Sequence, residues 1–162
     1  MTLTTGATVL TNIDPLLTPE LLNVLGLMGH GDEIAVVDAN FPADSVARST
    51  CHKQPVILAG ASVDQVVRAI LSVMPLDEFV GSPVRTMAAP AGAEGLPPVQ
   101  REVQEIVDAT AGRPWPLGTL ERFAFYEASR NSYAVVLTSE RRLYANFLLK
   151  KGVVHPVAQE GR

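Results

Sequence analysis

The stretch EIAVVDA, Glu33 to Ala39, is apolar on both faces that an extended chain presents. Side chains alternate across a strand, so a strand wet on one side reads apolar–polar. Ile34, Ala35, Val36 and Val37 break that alternation and need cover on both sides. A strand of this kind sits inside a sheet with helices above and below it, most often in parallel pairing. This requirement points to the α/β class, with one central sheet between helical layers.

The rest of the chain supplies those layers. Thr18 caps, Pro19 fits the first position and Glu20 suits the positive end of a helix whose inward residues are Leu21, Val24, Leu25 and Met28, with Gly29 as its stop. Ser62 and Gln65 are spaced for a capping box, and Val66, Val67, Ile70, Leu71 and Met74 form the buried stripe behind them. In VQREVQEIVDATAG, Val99, Val103, Ile106 and Val107 face in, while Arg101, Glu102 and Glu105 face out. PVILAG, PVRTMAA, YAVVLTS and FLLKKGVV read as further strands, and TLERFAFYEASRN begins extended and turns helical. FPADSVARSTCHKQ and PAGAEGLPP read as loops and ERRLYAN as a connector. The expectation is a lead-in over 1–13, a single domain over 14–155 and a tail over 156–162, with a mostly parallel central sheet flanked by helices.

Charge and length limit the partners. A net charge of −4 without a basic stripe argues against nucleic acid. The apolar runs fall far short of the roughly 20 residues that span a bilayer. The first residues, MTLTTGATVLTNIDP, lack the basic start and apolar core of a secretory signal, so cytoplasm is expected. A hydrophobic content of 47% suggests that some apolar surface is covered by further copies of the chain. Cys51 is the only cysteine, which excludes an intrachain disulfide and a multi-thiolate zinc site. Its neighbour His52 invites a nucleophile–base reading, but adjacent residues seldom point together and no third group is evident. An inert thiol is expected, with His52 and His155 as ordinary polar residues.

The candidates for chemistry begin at GHGDE. His30 stands between Gly29 and Gly31, where the backbone approaches a ligand closely, and imidazole is the side chain that shuttles protons near neutral pH. The plain alternative is a loop histidine bonded to backbone. Asp32 either orients His30 or is solvated, as Glu33 is. Asp38 ends the EIAVV strand, where open α/β sheets gather ligand-binding residues; it equally suits capping of the following turn. Tyr144 and Asn146 share one face of an extended segment, a spacing that fits paired ligand contacts or a strand edge. Tyr133 or Tyr144 offers an aromatic face, Phe125 and Tyr126 read as core, and Arg122 reads as a ligand group or a surface ion pair.

LLTPELLNVLGLMGHGDEIAVVDANFPA and ERFAFYEASRNSYAVVLTSERRLYANFLLKKGVV resemble the opening and close of the fucose mutarotase branch of the RbsD/FucU sugar-mutarotase family. The likeness runs from about residue 14 to 154 through GHGDEI, DANFPA, YAN and KKGV. It implies a cofactor-free isomerase that interconverts the anomers of a free monosaccharide, on an α/β fold assembled into rings, often decamers. It further implies His30 as proton donor and Asp38, Arg122, Tyr144, Ala145 and Asn146 as the residues that meet the sugar. Ala145 matches the ribose pyranase branch, where the fucose branch has glycine. Ser139 replaces a glycine, and if that glycine has positive φ, Ser139 adopts it at a cost. A ribose pyranase and a non-catalytic monosaccharide-binding protein are the alternatives.

Overall fold

The computed structural model describes residues 10–157, so most of the lead-in and residues 158–162 of the tail lie outside the described residues. Eleven elements follow in the order α1 (Pro19–Leu27), β1 (Glu33–Val37), α2 (Ala43–Ala47), β2 (Val56–Leu58), α3 (Val63–Leu71), β3 (Val84–Met87), α4 (Pro98–Ala111), β4 (Gly118–Leu120), α5 (Arg122–Arg130), β5 (Ala134–Thr138) and β6 (Phe147–Lys150). The strands form one sheet in the order β2-β5-β1-β6-β3-β4.

β1 lies at the centre, as its composition requires. It pairs in parallel with β5, Ile34 opposite Ala134, and antiparallel with β6, Val36 opposite Phe147. Ile34, Ala35, Val36 and Val37 are all fully buried. Ile34 and Val36 face a core built with Leu21, Val24, Val66, Ile70, Val103 and Val107 from α1, α3 and α4. Ala35 and Val37 face the opposite core, with Val46 of α2 and Phe125 of α5. Removal from water contributes about 1.5–3 kcal/mol for each large aliphatic side chain.

The helix signals work as the residues suggest. Thr18 Oγ1 accepts the Leu21 N–H at 3.2 Å, and Gln65 Oε1 accepts the Ser62 N–H at 3.1 Å. One feature differs from expectation and another refines it. The 41–54 loop contains α2, a five-residue helix too short to show a period. The closing strand β6 runs antiparallel between β1 and β3, both of which it pairs with, so five strands share one direction and β6 opposes them. Its entry therefore lies beside the carboxyl ends of β1 and β3. No helix among the described residues is long and apolar enough to cross a membrane.

Candidate functional site

At that carboxyl edge the turn after β1, the end of β3, the start of α5 and the β5–β6 connector enclose a cleft of about 170 Å³. Asp38 and Asn146 form its polar floor. Asp38 Oδ2 accepts from Asn146 Nδ2 at 2.9 Å, and Asn146 Oδ1 accepts the Asp38 N–H at 3.0 Å. These two bonds fix which way the Asn146 amide points. Asp38 Oδ1 also accepts the Asn40 N–H at 3.0 Å, so Asp38 caps the following turn while it lines the cleft. Burial pushes the Asp38 carboxyl above its ordinary range, against the N–H groups of Asn40, Asn146, Phe41 and Ala145 that favour its charge.

The walls combine apolar and aromatic groups. Phe41, Met87, Leu143 and Tyr144 are among the lining residues. Tyr144 has φ of 62°, a conformation uncommon for a bulky residue. Arg122 opens α5 behind the Glu121 cap, and its Nε donates to the Tyr126 hydroxyl at 3.3 Å. Its guanidinium is exposed and has no carboxylate partner among the described residues, which removes the surface ion-pair reading. Tyr126 packs half-buried against the core that holds Phe125, as expected, and also lines this cleft, which its core reading left out; Phe125, one residue earlier, is fully buried as expected. Ala145 is fully buried in the main core and reaches the site only through its N–H toward Asp38.

His30 sits at the other edge of the sheet. From Glu33 to Asp38 the chain runs one strand length, about 17 Å, and His30 precedes it. The turn that carries it is firmly held. Gly31 has φ of 87°, the Gly29 N–H donates to Asp32 Oδ2 at 2.7 Å, and the Gly31 N–H donates to the Lys151 carbonyl at 2.9 Å. Lys151 Nζ donates to the Leu25 and Met28 carbonyls at the end of α1.

Asp32 is thus a turn residue, and the group facing the imidazole is Asp77, whose Oδ1 lies 3.1 Å from His30 Nε2. Asp77 is buried, which disfavours its charge. The Phe79 N–H, His30 and Lys150 together outweigh that and hold its carboxyl below the ordinary value. The exposed Phe79 ring flanks the imidazole at 5.5 Å. Glu33 is not free in solvent either: it pairs with Arg85 at 2.6 Å and Lys150 at 3.0 Å.

The remaining candidates stay apart from both places. Cys51 is exposed, and His52 Nε2 lies 3.1 Å from Glu20. His155 faces Glu78 at 3.6 Å, and Tyr133 packs against the main core. A larger groove of about 470 Å³ is walled by Leu10, Ile13, Leu17 and Leu22. Its polar side chains, Asp14 and Thr18, accept backbone N–H groups, so it lacks convergent polar groups for a hydroxylated ligand.

The model of the RbsD / FucU transport protein family matches residues 11–154. Fucose mutarotase of Bos taurus is 42% identical over 151 residues, covering 91% of this chain and 96% of its own length. The structure of FucU from Bifidobacterium longum superposes with a TM-score of 0.81 at 38% identity, covering 88% of this chain and 99% of the other. That of the fucose mutarotase from Streptococcus pneumoniae in complex with L-fucose gives 0.79 at 35% identity, covering 90% and 100%.

Proposed function

The chain belongs to the RbsD / FucU transport protein family, and we propose that it is a sugar mutarotase acting on L-fucose or a closely related monosaccharide. The observation that carries this reading is the buried Asp38–Asn146 pair at the floor of a small cleft flanked by Arg122, Tyr126 and Tyr144. A sugar hydroxyl both donates and accepts. The pair supplies carboxylate and amide, Arg122 supplies donors, and the tyrosines supply flat faces for C–H groups. Charge-assisted bonds of this kind contribute about 1.5–3 kcal/mol each.

Mutarotation breaks the bond between the anomeric carbon and the ring oxygen. A proton is delivered to the ring oxygen, the anomeric hydroxyl loses its proton to solvent, and the ring electrons leave with the ring oxygen as a carbonyl forms. Rotation about the adjoining carbon–carbon bond and the reverse steps give the other anomer. No redox change occurs, and this chemistry needs no cofactor. His30 is the proton donor, and Asp77, 3.1 Å from its Nε2, holds the imidazole in place.

Since His30 and Asp38 stand at opposite ends of β1, the His30 that serves a given cleft comes from a second copy of the chain. Phe79 beside His30 is 75% exposed, and Phe123 and Leu143 beside the cleft are 69% and 65% exposed. These two unlike apolar surfaces suit a head-to-tail contact, which closes into a ring. A decamer in the cytoplasm is the assembly and setting this reading adopts.

Ala145 packs in the main core and is not among the residues lining the cleft, which supports L-fucose over D-ribose. The test is proton NMR magnetisation exchange between the anomeric signals of L-fucose, with D-ribose in parallel. Exchange with L-fucose should exceed the protein-free rate and fall by about 10²–10⁴-fold in His30→Ala. Exchange of neither sugar above the protein-free rate sinks the proposal.

A further inference from the structure

Helix α4 carries a polar side chain that points into the core beside Val99 and Val103. Gln100 is 1% exposed, and its Nε2 donates to two main-chain carbonyls, Met87 at 2.9 Å and Tyr144 at 3.0 Å. Both partners are acceptors. The nitrogen must therefore face them, since the amide oxygen in its place would oppose two oxygens.

The two carbonyls belong to different elements, and both residues line the cleft. Met87 ends β3 and Tyr144 lies in the β5–β6 connector; Gln100 itself does not line the cleft. A single buried amide outside the lining thus ties the end of β3 to the connector. Tyr144 is also the residue with φ of 62°, and such backbone persists where its surroundings over-determine it. Two residues on, the connector delivers Asn146 to Asp38, while Thr86 Oγ1 donates to the Asn146 carbonyl at 3.0 Å.

We propose that Gln100 is a positioning residue of the cleft, setting the separation of Met87 and Tyr144 and the placement of Asn146. Its consequence for catalysis rests on the mutarotase reading; its consequence for the cleft does not. Replacing a residue that merely stabilised α4 would lower the unfolding midpoint and leave the folded cleft as it was. A clamp alters sugar saturation well below that midpoint.

The test compares wild type with Gln100→Met, which keeps volume without donors, and Gln100→Asn, which keeps donors on a shorter stem. Val103→Ala serves as the control for destabilising α4. Two quantities are measured: KM and kcat for L-fucose anomer exchange, and the NMR resonance of the Asn146 side-chain amide. Gln100→Met should raise KM about tenfold with a smaller change in kcat, an ångström-scale misplacement being enough for that. The Asn146 resonance should move with it, Gln100→Asn should fall between, and Val103→Ala should change neither.

Wild-type KM and an unmoved Asn146 resonance in Gln100→Met overturn the proposal. So does failure of both Gln100 variants to fold, which assigns the amide to stability alone. If the wild type exchanges no sugar, the mutarotase reading fails, and the Asn146 resonance still decides the clamp.

Discussion

The floor of the cleft is a carboxylate–amide pair, and its charge state follows from which of the two residues carries the amide. Asp38 is held above the ordinary carboxylate range by burial and is kept from rising further by the N–H groups around it, Asn146 among them. Replacing Asn146 with Asp puts a second carboxyl where the Asn146 amide stands, 2.9 Å from Asp38 Oδ2. Like charges that close share one proton, which the folded state binds more tightly than the unfolded chain. A raised native pKa gives stability that is full below the unfolded value and lost as pH rises through the native one. The urea midpoint of Asn146→Asp should therefore fall between about pH 4 and pH 8, and fall more steeply than that of the wild type; parallel profiles would refute this account of the pair. Asp38 is legible as the residue that follows an apolar strand, whereas Asn146 is reached through the family resemblance: the extended segment that would place it on one face with Tyr144 is a turn, with Tyr144 at φ of 62°. The cleft side of Tyr126 escaped because one residue along a helix turns the side chain about 100°, enough to place it at the rim of the core that encloses Phe125. Asp77 escaped because nothing local to PLDEF signals a partner 47 residues away.

Among the elements, the β5–β6 connector carries the most consequence per residue. Its base is fixed to β1, the Ala39 N–H donating to the Glu140 carbonyl at 2.8 Å. Glu140 is 6% exposed and accepts Arg142 Nε and Nη2 at 3.0 and 2.9 Å, and Arg142 also reaches Glu102 on α4 at 2.8 Å. The Arg142 bonds hold the Glu140 carboxyl below its usual 4.5, burial opposing them. A lowered native pKa gives stability that is present above the unfolded value and lost as pH falls through the native one. Glu140→Gln should cost about 1 kcal/mol at pH 7, the half-exposed guanidinium being screened by water. In urea titrations its gap from wild type should narrow steadily below pH 4.5; a gap independent of pH would refute the ion-pair account. The same connector shows what a sequence can convey. Strand, turn and strand were legible in YAVVLTSERRLYANFLLKK, and the antiparallel direction of β6 was not, because apolar alternation carries no sense of direction. The strain expected at Ser139 is absent: its φ is not positive, and its hydroxyl accepts the Gly60 N–H at 2.7 Å. Gly152 makes the opposite case. A Cβ there would overlap the Leu76 carbonyl and the Asp77 nitrogen, in the segment that sets Asp77 against His30. Gly152→Ala should lose about 1–3 kcal/mol by overpacking, measured in urea, and should lower sugar exchange more than that loss alone explains.

At the scale of the whole molecule, the sheet separates His30 from the cleft. β1 ends in Asp38 at its carboxyl edge, while the His30–Asp77 pair lies before its start. The mutarotase reading then requires two copies per site, one giving the floor and the other the proton. Such a site can be rebuilt from two inactive variants. His30→Ala keeps the floor, and Asp38→Ala keeps the proton donor. Unfolded together in equal amounts and refolded, they should form mixed assemblies in which an intact floor meets an intact His30 by chance at about one site in four, as a heterologous contact dictates. Anomer exchange should then recover to roughly a quarter of the wild-type rate per chain, less whatever the two substitutions cost in assembly. A site contained within one chain gives a different result, since every cleft in the mixture lacks one of its two residues and exchange stays at the level of the separate variants. The same geometry makes activity depend on concentration, because dilution below the assembly constant removes His30 from every cleft while each chain stays folded. Far-ultraviolet circular dichroism unchanged across a dilution series in which exchange per chain declines would be the matching result. Exchange per chain that holds constant after dilution to monomers would return the proton donor to the same chain as the cleft, and with it refute His30 in that part.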